Sequence, residues 1–422
     1  MWDNEDQKSI RLKNILLILG VVLLVAVFLI VYIHVSRKNT AEDEQLHEIY
    51  EQQKTTQAEE KNSGLLYIQQ EYDKDMETVE TYMPGIVCWG DRLTAGSEGN
   101  KSFTSTLQSL INSNICALYN FSGTIENAED YYTKVDFFSY KVKIPVVNMG
   151  GGTENVDTVM GRQGSANYIV SKDVTIPSSC EKVKIELKSP SGEKIKPVTY
   201  NNVGIETVTI GDIEGTLSLS DSSSSSNVTI YFTRSEPGEE TEIEKGTEVI
   251  TSGAGTYKNY IPVFWVGTYG GWKNADELVE KVKTMVDYAG SDRYIVIGIF
   301  KNTESYSESA STFASVESKM KKEFGNRFIN LREYLISDAA DDAGVKLTTD
   351  DTRQIKNGLV PNSLRNSSSS AELSATAYEL VGNLVYERMK QLGYFDEITA
   401  ELGIDEVIEN QLITEINSKY DG

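Results

Sequence analysis

The chain has 422 residues, which is enough for more than one domain, and 63 acidic against 40 basic residues give it a net charge of −23. Such an acidic chain argues against a nucleic-acid partner, because nucleic-acid binding requires a basic stripe, and solubility accounts for most of the charge. Its three cysteines, Cys88, Cys116 and Cys180, have no spacing typical of a metal site or a disulfide framework. We therefore expect neither a metal ion nor another cofactor.

An unbroken apolar run occupies residues 15–35 near the N-terminus. About 20 such residues span a bilayer, and no small-residue cleavage site follows the run, which favours a retained transmembrane helix over a cleaved signal peptide. More basic residues lie just before the run than just after it, so residues 1–14 are predicted to be cytoplasmic. The rest of the chain is then extracellular, and its few cysteines favour a bacterial cell surface.

Residues 36–80 are rich in Glu, Gln, Lys and Thr and contain few apolar positions. This composition predicts a helical or disordered stalk between the membrane and the folded part. A coiled coil is the alternative, although the apolar repeat is not sustained.

Buried strands and amphipathic helices alternate over residues 81–164 and 257–395, which predicts an α/β domain. The predicted strands are 86–89, 144–149, 260–267, 294–300 and 327–331, and the predicted helices include 103–111, 313–324 and a last helix that ends near Gly393. Another helix is predicted after Asn274, its N-cap. Such an alternation is typical of a parallel sheet with helices on both faces. An acidic tail, residues 396–422, follows.

Residues 165–256 have a different pattern, in which apolar and polar residues alternate with period two between glycine-containing turns. Val183, Ile185 and Leu187, for example, alternate with charged residues. This pattern predicts a small antiparallel β-rich insertion in the α/β domain.

Four motifs follow one another at predicted strand ends or on the last helix. They are Gly90-Asp91-Arg92-Leu93, Val147-Asn148-Met149-Gly150 with Glu154-Asn155, Gly267-Thr268-Tyr269, and the helical segment 373–386. Together they resemble the sequence blocks of the SGNH (GDSL) hydrolases, over residues 84–393 without the insertion. The resemblance implies a flavodoxin-like three-layer sandwich, and an esterase or deacetylase of which O-acylated carbohydrate is a plausible substrate.

The resemblance also assigns positions to the catalytic groups, and the residue types there do not suit the chemistry. The nucleophilic serine corresponds to Arg92, and the histidine base and its aspartate correspond to Glu372 and Ser369. The oxyanion-hole glycine corresponds to Thr153, whose amide can still donate, and the oxyanion-hole asparagine corresponds to Tyr269. A serine nucleophile requires an adjacent base, so this set predicts the loss of that catalysis.

The histidines support the same conclusion without any resemblance. The chain contains two, His34 and His47, and both precede the α/β domain. Unless a partner protein supplies one, this excludes Ser-His and Cys-His catalysis and a histidine-ligated metal in that domain.

In active relatives the nucleophile and the base touch, so we expect Arg92 and Glu372 to form an ion pair, with Asp91 as a candidate third member. The alternative is that both side chains point separately into solvent. Asp91 and Glu372 could also act as the two carboxylates of a glycosidase. Asn148, Tyr269 and Trp272 complete the candidate binding residues, because aromatic faces often line sugar-binding sites; packing is the alternative for the two aromatic residues.

We therefore predict a membrane-anchored, extracellular, SGNH-hydrolase-like pseudoenzyme that binds carbohydrate or a cell-surface protein. Two alternatives are an active carbohydrate esterase with atypical catalytic groups and a structural protein of cell-surface assemblies.

Overall fold

The structure is a computed structural model. It describes residues 17, 19–21, 23–32, 48–56, 73–96, 102–115, 142–152, 154–192, 205, 207–220, 229–300, 310–367 and 372–402. The chain divides into two units, Met1–Glu71 and Tyr72–Gly422.

In the first unit, residues 23–32 and 48–56 are helical. The helix over 23–32 exposes large apolar side chains, including those of Leu24, Phe28 and Ile30. No helix among the described residues is both long enough and apolar enough to cross a membrane. The predicted span 15–35 lies partly outside the described residues, and the predicted cytoplasmic segment 1–14 lies wholly outside them.

The second unit contains both strands and helices. Its strands are β1 Ile86–Gly90, β2 Val146–Gly150, β3 Tyr168–Val170, β4 Val174–Ile176, β5 Val183–Ile185, β6 Leu187–Lys188, β7 Val208–Ile210, β8 Ile213–Leu219, β9 Ile230–Arg234, β10 Thr241–Ile243, β11 Glu248–Thr251, β12 Ile261–Trp265, β13 Ile295–Ile297 and β14 Phe328–Ile329. Its α-helices are α1 Arg92–Ala95, α2 Phe103–Asn114, α3 Val156–Gln163, α4 Ala275–Ala289, α5 Ala310–Phe324, α6 Leu331–Ser337, α7 Ala339–Asp342, α8 Thr349–Lys356, α9 Ala375–Gln391 and α10 Asp396–Glu401.

Five strands form a parallel sheet in the order β14-β13-β12-β1-β2. β1 lies between β12 and β2 and pairs with both along its whole length. Numbered within this sheet alone, the order is 2-1-3-4-5, which is the flavodoxin-like order. The predicted α/β fold with a parallel sheet is thus confirmed. In such sheets the strand order changes direction between the first and third strands, which are β1 and β12 here. Ligands bind in the crevice outside the carboxyl ends of these two strands.

Both faces of this sheet are covered, which is why its strands are apolar throughout. On one face, Ile86 and Cys88 of β1 pack with apolar residues of α2 and α9, such as Leu107 and Val381. On the other face, Val87 and Trp89 pack with residues of α3, α4 and α5. Burial of each large apolar side chain stabilises the fold by about 1.5–3 kcal/mol.

The insertion forms two antiparallel sheets between α3 and β12. One has seven strands in the order β5-β9-β8-β7-β11-β3-β6, and the other pairs β10 with β4. In β8, Ile213, Gly215 and Leu217 are buried and alternate with exposed residues. The period-two pattern of the sequence therefore corresponds to strands with one buried face.

Two boundaries of the α/β domain differ from the predicted ones. Residues 73–82 form a helix, and Val79, inside the predicted stalk, is buried in the same core as Ile86. Ile398 of α10, inside the predicted acidic tail, is also buried in that core. Both segments are polar except for a few apolar residues, so the composition does not reveal that these residues reach the core. The other tail residues, 403–422, lie outside the described residues.

Candidate ligand site at the strand ends

The turn after β1 brings the first candidate residues to the carboxyl edge of the sheet. The Asp91 carboxylate caps α1, because its Oδ1 accepts a hydrogen bond of 2.9 Å from the backbone N–H of Leu93. This short helix lies directly over the end of β2, where a Cβ on Gly150 would collide with the backbone of Ala95. Glycine at the end of β2 therefore allows the turn to approach.

Asp91 is completely buried, and its Oδ2 has no hydrogen-bond partner among the described residues. Burial raises the pKa of its carboxyl group from 3.8 to about 8, and the nearby charge of Glu154 adds to this shift. Asp91 is therefore mainly a neutral carboxylic acid at pH 7, so its second oxygen can carry a proton.

Arg92 and Glu372 form the predicted ion pair, which we call the outer pair. Arg92 Nε donates to Glu372 Oε1, and the side chains are 49% and 7% exposed, respectively. The second carboxylate oxygen, Oε2, accepts a hydrogen bond of 3.3 Å from Asn366 Nδ2. The hydrogen bond to Glu372 raises the pKa of Arg92 above its ordinary value. The Asp91 side chain does not join the pair, since its Oδ1 accepts from the α1 backbone and its Oδ2 has no partner among the described residues.

The backbone around Glu372 holds its side chain in this position. Arg365 and Leu373 pair as an antiparallel bridge, and Asn366 N–H donates to the Glu372 carbonyl at 2.9 Å. Glu372 thus stands at the base of a loop whose residues 368–371 lie outside the described residues. Ser369 is among those residues, and Thr153, the other predicted family position, is also undescribed.

Two tyrosines complete the site. Tyr269 is half-buried after β12, and burial raises the pKa of its hydroxyl to about 12. Tyr378 of α9 is buried, and its hydroxyl has no hydrogen-bond partner in the described chain. Both hydroxyls interact electrostatically with Arg92, Glu372 and Asp91, so these five residues share one site. We call them the strand-end site.

The loop that carries Tyr269 is fixed by contacts on its far side. The backbone N–H of Val156 donates to the Gly270 carbonyl at 3.2 Å, and Lys281 Nζ donates to the Gly271 carbonyl at 2.5 Å. Lys281 also forms ion pairs with two acidic residues. The half-exposed tyrosine is therefore held in place by α3 and α4.

The structure separates Trp272 from the site. Its Nε1 donates to the Gly267 carbonyl at 2.7 Å, and its ring packs with the core on the sheet face opposite to that of Tyr269. The prediction that both aromatic residues line one binding surface is therefore not met, and packing accounts for Trp272.

Asn148 lies near the strand ends, but its amide group stabilises the turns there. Its Oδ1 accepts from Gly150 N–H at 2.9 Å, and its Nδ2 donates to the Ala95 carbonyl at 3.3 Å. These bonds use its amide to join β2 to the turn after β1.

Beside this site lies an ion pair that the sequence reasoning missed, Glu154 with Arg162, which we call the buried pair. Both side chains are almost completely buried. Arg162 Nε donates to both carboxylate oxygens of Glu154, and its Nη2 donates to Glu154 and to the carbonyls of Gly90 and Met149. Arg162 therefore ties together the ends of β1 and β2. The sequence signal was weak, namely an arginine in a short segment flanked by glycines.

Among its described residues, the site offers no nucleophile paired with a base. Arg92 cannot attack a carbonyl, and both oxygens of Glu372 already accept hydrogen bonds. Burial raises the pKa of the nearby Cys88 thiol far above its ordinary value, which disfavours a thiolate there. Within the described ranges, no three His, Cys, Asp or Glu side chains are grouped so that they could hold a metal ion.

Comparison with known proteins gives little guidance. No protein-family model matches the chain, and neither does any curated protein. One match among solved structures is described as "Peptidoglycan O-acetylesterase in action, 5 min"; the sequence identity is 12% and the TM-score 0.28, and the match covers 76% of this chain and 95% of that chain. Such a loose similarity does not establish a shared activity.

Proposed function

We propose that the second unit is an SGNH-hydrolase-like domain without hydrolase activity, and that it binds a ligand at the strand-end site. The outer pair is the observation that carries this proposal. An arginine and a glutamate occupy the positions that the resemblance assigns to the nucleophile and the base, and they bind each other. The flavodoxin-like strand order supports the location, because such sheets bind ligands at this edge.

The chemistry of the paired groups argues against acyl transfer. A serine mechanism needs a hydroxyl that a base can deprotonate, and a positively charged guanidinium has neither a lone pair for attack nor an accessible pKa. Glu372 could act as a base only if it left Arg92 and Asn366. The outer pair therefore supports binding rather than turnover.

One observation favours a second candidate, an active hydrolase that uses Asp91. A carboxyl group with a pKa of about 8 can serve as a general acid or base near neutral pH. Its complete burial counts against this role, since a substrate reaches Asp91 only if the turn after β1 moves. We therefore rank this candidate second.

An ester-hydrolysis assay distinguishes the two candidates. We expect the full-length chain to release no more acetate from 4-nitrophenyl acetate or from acetylated xylan than its Arg92→Ala variant releases. Ester hydrolysis that disappears in Arg92→Ala or Glu372→Ala would overturn the proposal that the domain has no hydrolase activity. Turnover that disappears in Asp91→Asn alone would establish the second candidate.

We also propose that residues 15–35 anchor the protein in a bacterial cell membrane and that the second unit lies outside the cell. The described part of this run exposes large apolar side chains that a bilayer would cover. Cys180, in the insertion, is an exposed free cysteine and provides a test. We expect a membrane-impermeant maleimide to label it in intact cells, with Cys180→Ser as the control. Labelling only after lysis would contradict this orientation.

A further inference from the structure

The strand-end site has hydrogen-bond donors but few free acceptors. A guanidinium has five N–H donors, and with the described residues Arg92 uses only the one on Nε, which binds Glu372. Its four Nη hydrogens have no partner in the described chain, and its side chain is half-exposed. The described part of the fold therefore leaves this donor edge of a half-exposed side chain unused.

The neighbouring groups add two hydroxyls that can donate to a ligand. The hydroxyls of Tyr269 and Tyr378 make no hydrogen bond to any described residue, and both interact electrostatically with Arg92. Burial keeps the Tyr269 hydroxyl protonated at neutral pH, since its pKa is about 12. The carboxylate oxygens of Glu372 are occupied, and Asp91 Oδ1 accepts from the α1 backbone. Because the guanidinium of Arg92 can only donate, a ligand that binds it must supply acceptors.

We propose that the strand-end site is a receptor for the carboxylate of an acidic sugar, which binds the free Nη edge of Arg92. The planar fork of an arginine matches the two oxygens of a carboxylate. The half-buried Tyr269, whose hydroxyl interacts electrostatically with Arg92, provides an aromatic ring in the same site, as sugar-binding sites commonly have. This inference rests on the proposed function and adds the chemical class of the ligand.

Glu372 is the positioning residue of this receptor. It binds Arg92 from the Nε side and is itself held by Asn366, so the Nη edge is directed away from Glu372. Glu372→Gln keeps an oxygen that can accept from Nε and removes one negative charge near the ligand. The affinity for an anion should therefore rise by about threefold or more, whereas a role in folding alone predicts no gain.

Trigalacturonate and its methyl ester form a matched pair of probes, because the ester differs only in that its carboxylates are masked. We expect isothermal titration of the full-length chain to show that the acid binds at least about tenfold more tightly than the ester, as charge-assisted hydrogen bonds predict. Arg92→Met should abolish this preference. Arg92→Lys should retain only part of it, since it keeps the charge and loses the fork.

Arg353→Met is the matched control. Arg353 is also a half-exposed arginine that is paired with a carboxylate, Asp350, but it lies on α8. This variant should keep the preference for the acid. The proposal is wrong if the acid and the ester bind equally, if neither binds, or if Arg92→Met keeps the preference. Inorganic phosphate that binds alone as tightly as trigalacturonate would show a receptor for free anions, and would overturn the assignment to a sugar.

The same titrations separate this inference from the proposed function. Methanol release from the methyl ester by the wild-type chain, but not by Arg92→Met, would show an active esterase. It would refute the proposal that the second unit has no hydrolase activity. Equal binding of both probes without methanol release would refute the acidic-sugar receptor alone.

Discussion

Two arginine–glutamate pairs lie near the carboxyl edge of one sheet, and they use their hydrogen bonds differently. In the buried pair, Arg162 and Glu154 are at most 1% exposed, and Arg162 also donates to two strand-end carbonyls. In the outer pair, the Arg92 side chain is 49% exposed and, among the described residues, makes one hydrogen bond, to Glu372. Burial obliges Arg162 to satisfy its donors within the fold, whereas Arg92 can keep donors for a ligand.

The sharpest test of this difference is Arg162→Met. It leaves the Glu154 carboxylate buried without its cation, and it removes the side-chain hydrogen bonds that Arg162 donates to two strand-end carbonyls. We expect the free energy of unfolding to fall by about 3–5 kcal/mol, measured by urea denaturation of the full-length chain. A loss below about 1 kcal/mol, which is typical of exposed pairs, would remove the distinction between the two pairs.

The double variant Arg162→Met with Glu154→Leu shows what the buried arginine does besides pairing. Replacing both members of a buried pair with apolar residues is often neutral for stability. Here we expect a residual loss of about 1–3 kcal/mol, because the carbonyls of Gly90 and Met149 lose their hydrogen bonds from Arg162. Full recovery would mean that Arg162 does not organise the strand ends.

The close approach of the turn to β2 gives a second prediction. Gly150→Ala introduces a Cβ that collides with the backbone of Ala95 and so shifts the turn that carries Arg92. We expect a loss of about 1–3 kcal/mol in the free energy of unfolding and weaker anion binding. Gly290→Ala is the control, because no atom lies within 4 Å of its new Cβ, so it causes no collision. Its positive φ of 67° adds only a backbone cost. It should cost about 1 kcal/mol and leave binding unchanged.

Asp91 precedes Arg92 in the chain and interacts electrostatically with Glu154 of the buried pair, and it predicts a dependence of stability on pH. The unfolded chain releases its proton near pH 4, whereas the folded protein holds it until about pH 8. The folded state therefore binds the extra proton in this window, and the Asp91 contribution to the free energy of unfolding decreases as pH rises from about 4 to about 8. Above about pH 8 this contribution no longer changes.

Asp91→Asn tests this dependence, because it keeps the acceptor for Leu93 N–H and cannot ionise. The stability of the variant relative to the wild type should increase with each pH unit from 5 to 8, as measured by urea denaturation. Asp350→Asn, on the exposed side of α8, controls for the loss of a carboxylate. A relative stability that stays constant with pH would show that Asp91 is ionised in the folded protein throughout this range.

The sequence predicted the features that depend on local pattern or on the assigned family positions. The apolar strands predicted the parallel sheet, and the resemblance placed Arg92 beside Glu372, 280 residues apart. The sequence could not reveal that Tyr378 belongs to the site, because a tyrosine on the apolar face of an amphipathic helix has the same sequence spacing as a core residue. Tyr269 and Trp272 appeared equivalent, yet the loop after β12 sends them to opposite faces of the sheet. These features depend on tertiary contacts that no sequence spacing encodes.

The smallest expected effect on stability is that of Arg92→Met, and it is the prediction on which the comparison depends. Because Arg92 is half-exposed and Glu372 keeps Asn366 as a donor, we expect a loss of no more than about 1 kcal/mol in urea denaturation. The same variant should lose its preference for trigalacturonate over the methyl ester. A loss as large as that of Arg162→Met would mean that the outer pair also belongs to the fold. Its free donors would then be insufficient grounds for a receptor, since an arginine required for folding needs no ligand to account for its presence.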